Sequence, residues 1–301
     1  MKIAFGLAVA FALVAAPAAA QQEVDTHYRP KVEHPAYSAN GPVVAVDEGH
    51  RNFHTLGGRY APFGKLLTAD GYRVQASSAP FSSDALKGVD VLVIANALPA
   101  ERGGSAFSDA EIAALKQWVQ GGGSLLLISD HAPFGRAASA LAAAFGVDMG
   151  TGYAVARQDG KITANIEFSG GALGAHPILH GRDKAEQVRH VKSFTGQSLG
   201  VPAGGTALLT LPDDALEVAN ERAIDQLRRG DTVPGRRVGA RAQALAFTLG
   251  KGRVVVAGEA AMFSAQIVHF PGGETMRMGL WADDDEKFAL NVLHWLTRLI
   301  P

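Results

Sequence analysis

The segment spanning residues 41–55, GPVVAVDEGHRNFHT, places Asp47, Glu48, His50 and His54 directly after an apolar run. Two chemistries suit that set. Imidazole nitrogens and carboxylate oxygens hold zinc or a similar divalent ion. A carboxylate beside an imidazole can also move protons. His50 and His54 stand four apart, so one helical turn would aim both the same way. The plainer reading is a polar loop whose histidines hydrogen-bond and fix a turn.

A second group follows another apolar run. Ser129-Asp130-His131 contains the residue types of a hydrolytic triad. Neighbours at a strand end point in different directions, so these three cannot form one triad together. Ser129 could pair with His50 or His54, but the glycines of a nucleophile elbow are missing around it. Further along stand Asn96 after one apolar stretch and Glu259 after another, with Ser264 and Gln266 close by.

The elements that must position these residues are legible as apolar runs alternating with helical patterns. Residues 43–46, 72–76, 89–95 and 125–128 read as strands, the last nearly all apolar, as in parallel sheets buried on both faces. Residues 59–69 read as a helix with Tyr60, Phe63, Leu66 and Leu67 on one side. Ser108-Asp109-Ala110-Glu111 is a capping box that starts another, which Gly121-Gly122-Gly123 ends. Residues 137–145 give an Ala-rich helix. Gly250-Lys251-Gly252 turns a hairpin between 244–249 and 253–257. The last helix runs from about residue 284 to 299, with acidic Asp283-Asp284-Asp285 at its positive end. Strand–helix–strand spacing of this kind predicts parallel βαβ units. The fold class expected is therefore α/β, a doubly wound, mostly parallel, flavodoxin-like sheet with a C-terminal β-hairpin and a final helix.

Residues 1–20 carry Lys2, a short apolar stretch and the small-residue pattern Ala18-Ala19-Ala20, which predicts a signal peptide cleaved after Ala20. Residues 21–40 form a polar lead-in, and 41–301 a single α/β domain with an irregular excursion over 150–243. No later segment has the roughly 20 apolar residues of a membrane span. The expected product is exported, to a periplasm or beyond. The chain has no Cys, which removes disulfides, thiolate zinc sites and a cysteine nucleophile. Its formal charge of −1 argues against a nucleic-acid partner.

Three stretches, WVQGGGSLLLISDH, GKGRVVVAGEAAMF and DEKFALNVLHWL, resemble in their order class I glutamine amidotransferase-like proteins. HPILHGR and VKSFTGQSL add a closer resemblance to the bacterial branch related to gliding-motility transport components. The resemblance implies the flavodoxin-like sheet. It does not import glutaminase chemistry, because the elbow position reads Ile128-Ser129-Asp130-His131-Ala132 and no Cys exists anywhere.

Ligands of open α/β sheets bind at the carboxyl ends of the strands. On that rule Asp47, Glu48, Asn96, Ser129, His131 and Gln266 are candidate ligand-binding residues, and Asp130 and Glu259 candidate acid–base residues. Loss of the nucleophile favours an exported module that binds a small polar, sugar or peptide ligand, or an envelope protein partner. The alternative is a metal-assisted hydrolase with His50, His54 and His131 around a divalent ion such as zinc. Structural roles stand beside both. Asp47 and Asp130 could cap the helices that follow them, and His176, His180, His294 and Arg236-Arg237 read as packing or surface residues.

Overall fold

The structure is a computed structural model that describes residues 21–301 apart from Ala39 and Pro271. The expected signal peptide lies outside the described residues. The chain opens with β1 (Gln21–Val24) and, after the lead-in, forms β2 (Val43–Asp47), α1 (Ala61–Ala69), β3 (Arg73–Ser77), β4 (Val91–Ala95), α2 (Asp109–Gly121), β5 (Ser124–Ile128) and α3 (Phe134–Ala144). The middle supplies β6 (Asp148–Met149), β7 (Tyr153–Gln158), β8 (Lys161–Thr163), β9 (Glu167–Ser169), the single turn α4 (Pro177–His180) and β10 (His190–Lys192). It continues through β11 (Leu199–Gly200), β12 (Thr206–Thr210), β13 (Leu216–Val218), α5 (Glu221–Arg228) and β14 (Arg236–Arg237). The last quarter gives β15 (Ala242–Leu249), β16 (Gly252–Ala257), β17 (Ala265–His269), β18 (Thr275–Gly279) and α6 (Asp285–Leu296).

The main sheet has the order β3-β2-β4-β5-β16-β15-β11-β6, with β12 also paired to β15. Strands β3, β2, β4, β5 and β16 run parallel. Every residue of β2, β4 and β5 is buried, because helices cover both faces. Val44, Val46, Val93, Leu126 and Val255 join Phe63 and Leu67 of α1 and Phe288 and Val292 of α6 in one core. Their neighbours Ala45, Leu92, Leu125, Leu127 and Val254 face the other way and join Leu115 and Val119 of α2 and Leu141 of α3. The period-2 alternation of a strand thus explains why the runs are apolar throughout. Each fully buried Leu or Phe contributes about 1.5–3 kcal/mol.

The doubly wound, mostly parallel, flavodoxin-like sheet expected from the sequence is corrected by this topology. Among the described residues 18 strands form four sheets beside six α-helices, and only the five-strand run is parallel. From β15 outward the main sheet is antiparallel. The other three sheets, β1-β17-β18, β9-β10 and β14-β13-β7-β8, are antiparallel as well. The physical reason is connection length. Parallel neighbours need a long crossover, whereas β15 and β16 are separated by Gly250 and Lys251 alone and must fold back. Residues 150–243 supply short strands joined by turns, and these pair in the same way.

Candidate functional site

The carboxyl ends of the parallel strands are where the candidate residues gather. Ile128 of β5 lies opposite Ala95 of β4 on one side and Ala257 of β16 on the other. Asn96, Asp130 and Glu259 therefore emerge side by side. Asn96 is buried with a left-handed backbone, φ 49°. Its Oδ1 accepts the Asp130 N–H (2.8 Å) and its Nδ2 donates to His54 Nδ1 (3.1 Å). That pairing fixes the tautomer of His54. An amide NH2 can only donate, so Nδ1 accepts and the ring proton sits on Nε2. Burial, helped by the charge of Arg59, pushes the His54 imidazole down to about 3, so the ring is neutral.

Asp130 and Glu259 are both held above the usual carboxylate range. For Asp130 the cause is burial, which outweighs hydrogen bonds from the His131 backbone and Asn96. For Glu259 it is burial and then the charge of Asp130. Both Glu259 oxygens accept backbone N–H groups, from Ala261 (2.7 Å) and Met262 (2.8 Å), so this side chain fastens the turn after β16. His131 stacks on Tyr153 with ring centres 4.3 Å apart. Its Nδ1 donates to the Ala132 carbonyl (2.8 Å), which leaves Nε2 as the free position, 3.9 Å from Asp130 Oδ1.

A cavity of about 340 Å³ opens above these groups. The β2–α1 loop supplies Phe53, His54 and Arg59 to its wall; the segments after β4 and β5 supply Asn96, Asp130 and His131, and Phe134 follows from α3. Phe194 and Thr195, Glu221, Ala261, Gln266 and Gln22 close it from the other half of the protein. Arg59 donates to Gln266 Oε1 (2.6 Å) and to the Gln22 carbonyl (3.2 Å). Thr195 has φ 77°, a conformation that costs a β-branched residue free energy and recurs at ligand clamps. A larger groove of about 590 Å³ runs along α1, but none of the candidate residues lines it.

Of the residues singled out from the sequence, His54, Asn96, Asp130, His131 and Gln266 line this cavity. Asp47, Glu48, His50, Ser129 and Glu259 do not. Asp47 is a loop organiser that accepts from Gly49, His50 and Asn52. Glu48 accepts the Leu56 N–H (2.7 Å). Ser129 is buried, and its hydroxyl has no partner among the described residues.

His50 is taken out of the metal set by its own partners. Its Nδ1 meets Asp47 (2.9 Å) and its Nε2 meets Glu111 (2.8 Å), the same glutamate that closes the capping box of α2. Burial pushes the imidazole down, but the hydrogen bonds and charges of Asp47 and Glu111 outweigh it and the net shift is up. His50, His54 and His131 are thus not brought together as one ligand set. Among the described residues no three His, Asp or Glu side chains are grouped to hold a metal ion. No helix among them is long and apolar enough to cross a membrane.

Arg59, Gln22, Phe53, Phe134, Phe194, Thr195 and Glu221 were not singled out as site residues from the sequence. Phe194 and Thr195 carried a signal, since they lie in VKSFTGQSL. Gln22 carried none, because its place depends on β1 pairing with β17 about 240 residues away.

No family model matches the sequence, and no curated relative does. Among solved structures the chain is similar to the mmIFT52 N-terminal domain, with TM-score 0.61 and 17% identity over 84% of this chain and 97% of that one. It is also similar to two putative ThuA-like proteins. For the one from Bacteroides uniformis the TM-score is 0.46 and the identity 11%, covering 89% and 94% of the two chains. For the one from Parabacteroides merdae the values are 0.42 and 10%, covering 86% and 90%. At 17% identity the first likeness speaks to the fold alone.

Proposed function

We propose that the protein is an exported, amidotransferase-like ligand-binding domain that takes a small polar, sugar or peptide ligand in the cavity at the strand ends. Support comes from convergence. Side chains from β1, the β2–α1 loop, the ends of β4 and β5, the loop holding Thr195, α5 and β17 meet around one volume. That volume lies within the range of about 300–1,000 Å³ usual for ligand pockets. Glutaminase chemistry has no nucleophile, since the sequence lacks Cys. The resemblance to the branch related to gliding-motility transport components, carried by HPILHGR and VKSFTGQSL, belongs to this reading too.

One observation favours a second reading, a metal-independent hydrolase. Asp130 lines the cavity as a carboxyl group that burial makes hard to ionise, and His131 Nε2 lies 3.9 Å from it. Such a pair could supply acid and base, with Glu259 behind it as an electrostatic neighbour. The metal-assisted route draws no support from the geometry, because His50 is committed to Asp47 and Glu111.

The test is a thermal-shift screen of monosaccharides, amino acids and dipeptides against the protein beginning at Gln21. Stabilisers whose effect disappears in Asp130→Ala and in Phe194→Ala are expected. Stabilisers that act equally on both variants would place binding elsewhere. Turnover of any bound ester, amide or glycoside, lost in Asp130→Asn, would promote the hydrolase over the binding module.

A further inference from the structure

Several polar groups around the cavity are spent on one another, while His131 Nε2 and the Glu221 carboxylate keep open acceptor positions. Asn96 uses its oxygen on the Asp130 N–H and its nitrogen on His54. Gln266 Oε1 already accepts from Gln22 Nε2 (2.8 Å) and from Arg59 (2.6 Å). The Gln22 carbonyl is taken by Arg59 as well. Asp130 Oδ1 accepts the His131 N–H (2.8 Å).

Two donors remain. His54 is 3% exposed, lines the cavity, and its Nε2–H has no partner among the described residues. Arg59 lines the same wall, with its guanidinium over the Phe53 ring at 4.9 Å, and Phe53 in turn packs edge-on against His54 at 5.4 Å. No carboxylate lies within ion-pair distance of Arg59 among the described residues; every ion pair found there involves other groups. A fixed neutral N–H donor and an unpaired guanidinium on one wall call for a ligand that brings acceptors and negative charge.

We propose that the ligand of this site is a carboxylate, held by His54 Nε2–H and the Arg59 guanidinium. The inference rests on the proposed ligand-binding function and names its ligand class. A carboxylate suits the donors better than a phosphate does. It is a planar monoanion with two oxygens, matched by one guanidinium and one further N–H. No second Arg or Lys lines the cavity, and Glu221 in its lining would repel a dianion more than a monoanion. Phe53, Phe134 and Phe194 form apolar wall for the rest of the molecule. A free aromatic or aliphatic acid and the C-terminal carboxylate of a short peptide share this chemistry.

The experiment is calorimetric titration of the protein with phenylacetate, N-acetyl-phenylalanine, the neutral isostere phenylacetamide, and glucose. At least one acid is expected to bind tenfold or more tightly than phenylacetamide, with the preference lost in both His54→Phe and Arg59→Gln. Arg59 is half-buried and its replacement keeps an amide for Gln266, so that variant keeps the test valid if His54→Phe does not fold. Tighter phenylacetate assigns a free acid, and tighter N-acetyl-phenylalanine a peptide terminus. Equal binding of acid and amide, or an acid preference that survives Arg59→Gln, overturns the carboxylate. Glucose bound by the wild type but not by Asp130→Ala, with neither acid bound, removes the carboxylate and leaves the binding domain. No binding in any arm removes both.

Discussion

Asp130 and Glu259 stand two residues beyond a paired strand position, Ile128 opposite Ala257, so two buried carboxyl groups end neighbouring parallel strands beside each other. Among the described residues no Lys or Arg forms an ion pair with either, and His131 Nε2 lies 3.9 Å from Asp130 Oδ1. Like charges this close, away from water, resist ionising together.

Their pKa shifts make stability depend on pH in a definite direction. Both folded-state values are raised above the ordinary carboxyl values of 3.8 and 4.5. The folded protein thus keeps protons that the unfolded chain has given up. The stabilisation is complete below the unfolded values and is lost as pH rises through the raised folded ones. Denaturant melts at about pH 5, 7 and 9 should show falling stability. In Asp130→Asn the fall should be shallower, because one titrating group is gone and Glu259 loses its charged neighbour. A wild-type profile that is flat or rising across this window, or one unchanged by the variant, would refute the shared cause.

His50 is expected to act on stability rather than on ligand binding. Its side chain is 8% exposed and bridges Asp47, at 0%, to Glu111, at 15%, between the rings of Phe81 and Phe107. Removing one member of a buried charged set leaves the others uncompensated, at a cost of about 3–5 kcal/mol. Solvent at Glu111 lowers that to roughly 2–4 kcal/mol for His50→Ala. The raised folded pKa means this contribution is present below the unfolded value of 6.5 and fades as pH rises through the folded one. Urea denaturation at pH 6, with a ligand titration of the surviving native protein, checks it. Unchanged stability, or lost binding at unchanged stability, would contradict the assignment.

Thr195 should tolerate glycine. Its positive φ costs about 1–3 kcal/mol in a β-branched residue, while glycine forfeits roughly 0.5–1 kcal/mol of backbone entropy. Its hydroxyl has one long contact, to Asn165 at 3.4 Å. Thr195→Gly is expected to hold or raise the unfolding midpoint and to weaken ligand binding by loosening the cavity wall. A loss of more than about 2 kcal/mol would show that the residue is not strained.

Local signals were legible wherever one segment settles its own structure. The apolar runs at β2, β4 and β5 and the capping box of α2 lie where the residues imply. Asn96, Asp130 and His131 follow parallel strands, and the ends of such strands gather loop residues around one cavity without knowledge of the partner strands. His54 reads as a metal ligand in the sequence, whereas in the fold its Nδ1 accepts from Asn96, 42 residues away. His50 could not be separated from it, since the partner that removes it, Glu111, looks like an ordinary capping residue. The antiparallel half stayed hidden because its strands are short and find their neighbours far along the chain, as β6 does with β11 and β11 with β15.

The strand β1 bears on how the protein should be produced. Gln22 meets Gln266 and Met278 through its side chain and Arg59 through its carbonyl, and the next residues are pinned by the buried Asp25 and Tyr28. A recombinant chain trimmed back to Asp25 would keep its core and yet lose Gln22 from the cavity wall. An affinity tag is better placed after Pro301, which is exposed, than fused just ahead of Gln21.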